Sequence, residues 1–167
     1  MKRWHAIVLG TIGALPLSMA YAQMAAPPSP RTPATTAPAN MIVGPAFYVT
    51  DMARSLRFYR DALGMTVRMQ FGPKDQPEAV IGFGTDPRLP CIMLLSGKPG
   101  AAEKIEHGHG YDRVALNVTD LRGFETKLKA AGYKTDEIRT VHGSILMMMA
   151  TDPDGYRIEL VQTPQAR

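Results

Sequence analysis

Hydrophobic and polar positions follow the same order twice along residues 41–163. Each half opens with an alternating run, MIVGPAFYV at 41–49 and YDRVALNV at 111–118. A two-residue alternation predicts a β-strand with one buried face. Both runs end in Val-Thr-Asp, at 49–51 and again at 118–120. The chain therefore contains an internal repeat whose units each begin with a strand.

An amphipathic helix is predicted after each Val-Thr-Asp. Apolar residues recur there at spacings of three and four, which places them on one helix face. They are Met52, Leu56, Tyr59 and Leu63 in the first half, and Leu121, Phe124, Leu128 and Ala131 in the second. Asp51 and Asp120 stand where a carboxylate can accept the free amides of a first turn. Gly64 and Gly132 stand where a helix ends.

Three short strands are predicted after each helix. Their approximate ranges are 65–71, 78–83, 91–96, 133–138, 144–151 and 157–162. Pro, Gly and Asp clusters separate them as turns, among them Asp-Pro-Asp-Gly at 152–155. Each half thus has the order βαβββ. The predicted fold class is α+β, with two βαβββ modules that enclose a cleft.

Two segments carry a resemblance to a known family. FYVTDMARSLRFYRDALGM at 47–65 and TDPDGYRIELVQ at 151–162 are similar to the opening and closing signatures of the vicinal oxygen chelate superfamily. That superfamily includes glyoxalase I, bleomycin-resistance proteins, extradiol dioxygenases and methylmalonyl-CoA epimerase. The resemblance implies its paired-module fold and a site in the cleft, but the fold hosts unrelated activities.

The resemblance also implies four metal-ligand positions, on the first and last strands of each module. They fall on Gly44, near Leu94, on Arg113 and on Glu159. Glycine and leucine offer no side-chain donor, and arginine is a permanent cation. We therefore expect no cofactor and consider a divalent metal improbable. The histidines of the domain, His107, His109 and His142, lie off these positions and are predicted loop residues.

Strand alternation predicts which residues line the cleft. The faces expected to pack under the helices carry Val43, Phe47, Val49, Met93, Leu95, Val114, Leu116, Val118, Ile158 and Leu160. The opposite faces carry Ala46, Tyr48, Ile92, Leu94, Arg113, Ala115, Asn117, Arg157, Glu159 and Val161. An apolar wall with a few polar groups is typical of a small-molecule site.

Arg113 and Glu159 allow two interpretations. Arg113 could hold a carboxylate, phosphate or enolate-like oxygen through its planar donor fork, with Glu159 orienting it or acting as a catalytic base. Alternatively the two form a plain ion pair. The candidate ligand-binding residues are Arg113, Glu159, Tyr48, Asn117 and Leu94, and Glu159 is the catalytic candidate.

Composition narrows the function classes. The 167 residues carry a net charge of +4 without a basic block, so no nucleic-acid partner is expected. Cys91 is the single cysteine, which excludes an internal disulfide and a CxxC site. Lys2 and Arg3 precede an uncharged apolar run, and Ala-Tyr-Ala ends at residue 22. This is the pattern of a secretory signal peptide.

The predicted organisation is a signal peptide at 1–22, a Pro/Ala/Thr-rich linker at 23–40 and the glyoxalase-like domain at 41–165. We expect a secreted, periplasmic protein that contacts no membrane after cleavage. It would bind a small anionic organic molecule in the cleft without metal. The alternatives are a lyase or isomerase of the glyoxalase type, a dioxygenase, and a non-catalytic interaction module. The sequence leaves open whether the protein is an enzyme and whether it forms a homodimer.

Overall fold

The computed structural model describes residues 40–97 and 104–164. The first module consists of β1, α1, β2, β3 and β4, and the second of β5, α2, β6, β7 and β8. The bounds are β1 Ala46–Val49, α1 Met52–Leu56, β2 Thr66–Phe71, β3 Glu78–Gly82, β4 Ile92–Ser96, β5 Val114–Asn117, α2 Leu121–Ala130, β6 Arg139–Val141, β7 Ile145–Thr151 and β8 Arg157–Gln162. The predicted α+β fold of two βαβββ modules is confirmed.

Each module forms one four-stranded sheet. The strand orders are β1-β4-β3-β2 and β5-β8-β7-β6, which are the same arrangement twice. The first strand of each module pairs in parallel with the last, and the remaining pairs are antiparallel. The helix is the crossover connection that a parallel pair requires. The repeat in the sequence is therefore a repeat in topology.

The predicted helix caps are confirmed. Asp51 accepts the backbone N–H of Arg54 at 2.9 Å, and Asp120 accepts that of Gly123 at 3.0 Å. Helix α1 does not end at Leu56 but continues as a π-helical segment, Arg57–Ala62. The wider turn adds Phe58 to the buried face, which a regular helical stripe does not predict.

One predicted strand is misplaced. Residues 133–138 form an isolated bridge between Thr135 and Ala150, and the paired strand β6 lies after them. The turn explains this position, because His142 and Gly143 both adopt positive φ, at 48° and 83°. A chain reversal there pairs Val141 with Ile145 and so fixes β6 immediately before it.

A shared core joins the two modules. Buried apolar side chains from both sheets and both helices form one cluster. Phe58 packs edge-on against Tyr59 at 4.9 Å and against Tyr133 of the second module at 4.8 Å, measured between ring centroids. Because aromatic side chains bury large areas, these contacts hold the modules as one packed unit.

The predicted leader, residues 1–22, and all but the last residue of the predicted linker lie outside the described residues. Among the residues that are described, no helix has the length and apolar character needed to cross a membrane.

Candidate functional site

The sheet face that points away from the core is mainly apolar in the first module. We call it the first open face. Register places its side chains in two rows across the strands, Ala46, Met93, Val80 and Met69, and Tyr48, Leu95, Glu78 and Phe71. Tyr48 and Met69 are each 59% exposed and Phe71 is 43% exposed. Large apolar side chains with this exposure are typical of a binding surface.

The predicted alternation of β4 is wrong. Leu94 is 0% exposed and packs in the core, and Ile92 is buried beside it. Met93 and Leu95 lie on the first open face instead, opposite Ala46 and Tyr48. The run is apolar at every position from Cys91 to Leu95, so hydrophobicity alone does not predict which of its residues face the core. Met93 lies opposite Ala46 of β1, just as Glu159 lies opposite Ala115 of β5. Met93, and not Leu94, is therefore the counterpart of Glu159 in the first module.

The matching face of the second module is more polar. We call it the second open face. Its rows contain Ala115, Glu159 and Met149, and Asn117, Val161, Met147 and Arg139. The predicted phase of β5 and β8 is confirmed, because Ile158 and Leu160 are fully buried and Ala115 and Asn117 are exposed.

Arg113 and Glu159 meet at the edge of the second open face. The Nε–H of Arg113 donates to Glu159, and its Nη1 donates to Asp112. Arg157 donates to the other oxygen of Asp112. These partners raise the pKa of the Arg113 guanidinium, chiefly through the hydrogen bond to Glu159. The result is an alternating chain of four charges, of which Asp112 was not predicted.

The two other predicted polar residues lie apart from this charged chain. Asn117 accepts a hydrogen bond from the Thr163 hydroxyl at 3.3 Å. Tyr48 extends from the first sheet and is 59% exposed. The structure therefore brings Arg113 and Glu159 together, leaves Tyr48 and Asn117 on separate open faces, and removes Leu94 to the core.

The Asp-Pro-Asp-Gly segment does more than form a turn. Asp154 accepts from the Thr50 hydroxyl at 2.5 Å, from Nη2 of Arg54 at 2.8 Å and from the Ser55 hydroxyl at 3.2 Å. All three donors belong to the first module, and the Asp154 side chain is 2% exposed. We call this group the module clasp. This group was not predicted, because Ser55 on the buried face of α1 indicates a buried polar contact but does not identify Asp154 as its partner.

A second buried hydrogen bond runs beside the module clasp. The Tyr59 hydroxyl donates to Asp152 at 2.8 Å, and both side chains are buried. Burial raises the pKa of Tyr59 well above its usual value, and the neighbouring Asp152 adds to this. Burial also raises the pKa of Asp152 despite the hydrogen bonds that it accepts. Both modules are thus joined by polar as well as apolar contacts.

An apolar cavity of about 610 Å³ lies between the first module and β5. Its walls include Phe83, Cys91 and Leu116, with Asn117 as a polar side chain. Arg68 holds the β3–β4 loop beside it, donating to the carbonyl oxygens of Phe83 at 2.6 Å, Leu89 at 2.7 Å, Gly84 at 3.1 Å and Pro90 at 3.3 Å. A loop held at four carbonyls gives this cavity a fixed wall.

Residues 41–160 match the family model described as Glyoxalase/Bleomycin resistance protein/Dioxygenase superfamily. The chain belongs to this superfamily. A Synechocystis sp. protein described as "Probable lactoylglutathione lyase" is 33% identical over 122 residues, covering 69% of this chain and 89% of the relative. The resemblance seen in the two sequence signatures is confirmed.

Solved structures of the superfamily show the same fold. The trypanothione-dependent glyoxalase I of Leishmania major superposes with a TM-score of 0.63 at 25% identity, covering 74% of this chain and 87% of that one. The fosfomycin resistance protein FosX of Listeria monocytogenes, complexed with Mn(II) and sulfate, superposes with a TM-score of 0.56 at 14% identity, covering 74% of this chain and 93% of that one.

The expectation of no cofactor, with a divalent metal improbable, is wrong. FosX of the same fold contains Mn(II), and the curated relatives are lactoylglutathione lyases. The expectation counted side chains at aligned positions of a single chain, and a metal site can draw ligands from elsewhere. Within the described residues, no three His, Cys, Asp or Glu side chains are grouped to hold a metal ion. Glu159 is moreover paired with Arg113, so the aligned positions by themselves do not fit one.

The histidines have different surroundings. His107 Nε2 lies 2.8 Å from the backbone oxygen of Asp154, and its ring packs edge-on against Tyr156. Because a carbonyl oxygen can only accept, Nε2 carries the proton. His142 lies in the β6–β7 turn. The predicted loop position holds for both, but His107 is fixed by its contacts.

Proposed function

We propose that this protein binds a small organic molecule on its second open face, with an anionic group of that molecule at Arg113. The observation that carries the proposal is the placement of Arg113. It stands at the edge of the second open face, its side chain is 44% exposed, and Glu159 fixes its orientation from the facing strand. A held guanidinium is a ready partner for a carboxylate or phosphate.

The donor geometry of Arg113 supports an anionic partner. Nε pairs with Glu159 and Nη1 with Asp112, which leaves Nη2 without a hydrogen bond to any described residue and open to a ligand oxygen. The two positive charges of Arg113 and Arg157 balance the two negative charges of Asp112 and Glu159. Recognition would therefore rest on directed hydrogen bonds more than on net charge. The second open face itself supplies apolar side chains near this edge, since Met149 lies opposite Glu159 and Met147 lies opposite Val161. A second copy of the chain could cover the first open face.

A second candidate function is that of a glyoxalase-type lyase. It is favoured by the similarity to lactoylglutathione lyases over 89% of the relative's length. The assay incubates the protein with glutathione and methylglyoxal, with and without added Ni²⁺, Zn²⁺ or Mn²⁺, and follows formation of the S-lactoylglutathione thioester. Turnover would establish the lyase, whereas saturable binding without turnover would favour a binding protein.

We expect Arg113→Met to weaken binding of anionic molecules about ten- to a hundredfold, because a charge-assisted hydrogen bond is lost. A thermal-shift screen of small carboxylates, phosphates and S-lactoylglutathione supplies the ligand, and calorimetry gives its affinity. Arg113→Lys should recover part of the loss, since an ammonium lacks the planar fork.

Arg122→Met is the matched control, because Arg122 is an exposed arginine on helix α2. It should leave the affinity unchanged. If Arg113→Met lowers the melting temperature but not the affinity for any molecule found in the screen, Arg113 is half of a structural ion pair and the proposal fails.

We also propose that the protein is exported to the periplasm. The support is the charged start at Lys2 and Arg3, the apolar run after it and the Ala-Tyr-Ala site. We expect the mature protein from its native host to begin at Gln23. Mass spectrometry of the intact protein measures this directly, and recovery of the full chain from Met1 would contradict export by cleavage.

A further inference from the structure

We propose that a separate aromatic cavity, between β1 and the segment preceding β5, binds an organic ammonium ion. The cavity has a volume of about 330 Å³. Phe47, Tyr111 and Tyr156 are the three phenyl-type aromatic residues of its lining, and Glu106 is its acidic residue. This combination of rings and one acid is the chemistry that recognises alkylated ammonium groups. We call it the aromatic cavity.

The rings of the aromatic cavity are arranged as a corner. Phe47 and Tyr156 are stacked, with centroids 4.4 Å apart and planes at 15°. Tyr111 stands nearly perpendicular to both, 5.6 Å from Phe47 and 6.2 Å from Tyr156. The stack covers one face of Tyr156, and Phe47 is buried behind it. A cation in this corner would therefore meet the exposed Tyr111 ring and the uncovered surface of Tyr156, where a ring face presents the negative part of a quadrupole.

The surrounding groups hold the corner in place. The His107 ring packs edge-on against Tyr156, and its Nε2 bonds the backbone oxygen of Asp154. Phe47 is 3% exposed, so it cannot turn away. Tyr111, by contrast, is 42% exposed and forms the open wall. The aromatic cavity is therefore preformed, with one accessible side.

The charges near the aromatic cavity favour a cation. Glu106 lines it, and the buried Asp152 acts electrostatically on both Tyr111 and Tyr156. Two of the nearby cations are engaged, since Arg54 pairs with Asp154 and Arg157 with Asp112. An ammonium ion would interact with Glu106, whereas the anion proposed above would bind at Arg113.

The experiment uses choline as the probe and titrates it into the full-length protein by calorimetry or NMR. We expect saturable binding at constant ionic strength. The uncharged isostere 3,3-dimethylbutan-1-ol should bind at least about threefold more weakly, because it has the shape of choline without the charge. Equal binding of the two would overturn the proposal, since shape alone would then explain affinity.

Variants of Tyr111 distinguish the contribution of an aromatic ring to choline binding from that of side-chain size. Tyr111→Leu should weaken choline binding about three- to tenfold, whereas Tyr111→Phe should keep it within about twofold. Glu106→Gln should weaken it about threefold or more. Phe71→Leu is the matched control, because Phe71 is an aromatic residue of similar exposure on the first open face. It should have no effect.

Two outcomes would contradict the site. One is choline affinity that survives both Tyr111→Leu and Glu106→Gln, and the other is affinity that falls in Phe71→Leu. The failure of this proposal is distinguishable from failure of the proposed function, because Arg113→Met should leave choline binding intact.

Discussion

Gly44→Ala is expected to lower the free energy of unfolding by about 3–5 kcal/mol. Gly44 adopts a φ of 147°, which residues with a side chain rarely adopt. A Cβ at this position would overlap the carbonyl oxygen of Cys91 and lie 2.8 Å from its carbonyl carbon. That backbone is fixed, because the Cys91 N–H donates to Val43 at 2.8 Å. The strained φ and the steric overlap with Cys91 therefore both destabilise the variant, and the backbone cannot shift without disturbing this hydrogen bond.

Urea denaturation of Gly44→Ala against the wild type measures this loss. Gly110→Ala is the control, because a Cβ at Gly110 would meet no neighbouring atom within 4 Å. We expect it to change stability by less than about 0.5 kcal/mol. Equal stability of Gly44→Ala and Gly110→Ala would show that the start of the first module has a different backbone.

The same geometry explains why the first aligned ligand position carries glycine. Any side chain there, a histidine included, would collide with the backbone of Cys91. The position has a structural requirement in this chain that has nothing to do with metal. The absence of a ligand side chain at position 44 therefore reflects local packing. It does not exclude a cofactor from the protein.

Local signals predicted most of the fold. The caps at Asp51 and Asp120 and the glycines after the helices act within one turn of chain, so their effect can be read from neighbouring residues. The repeat then gave the order of elements twice. The strand predicted at 133–138 lies instead at Arg139–Val141, because the His142–Gly143 turn that fixes its position has no strong sequence signature.

The candidate site was predictable where its strands alternate. The run from Arg113 to Asn117 and strand β8 both mix polar and apolar residues, so Arg113 and Glu159 could be assigned to one face, and the structure pairs them. β4 is apolar from Ile92 to Leu95, and Leu94 was assigned to the wrong face. Contacts between the modules could not be predicted at all, because they join residues about 100 positions apart.

The module clasp provides the second large expected effect. Asp154→Ala should lower the free energy of unfolding by about 2–4 kcal/mol. It removes the acceptor of Thr50, Arg54 and Ser55 together, and because Ser55 is fully buried its hydroxyl would lose this partner away from solvent. The value is set below that of a fully buried ion pair because the Arg54 side chain is 41% exposed.

Variants that keep part of the acceptor test this explanation. Asp154→Asn retains one carbonyl oxygen and should lose about half as much stability as Asp154→Ala. Asp136→Ala is the control, since Asp136 is an exposed aspartate of the same module, and it should be near neutral.

A double-mutant cycle with Thr50→Val should give a coupling energy of about 1 kcal/mol, because the two residues are in direct contact. Additive losses in that cycle would mean that the loss reflects the Asp154 turn itself and not a bond between the two modules.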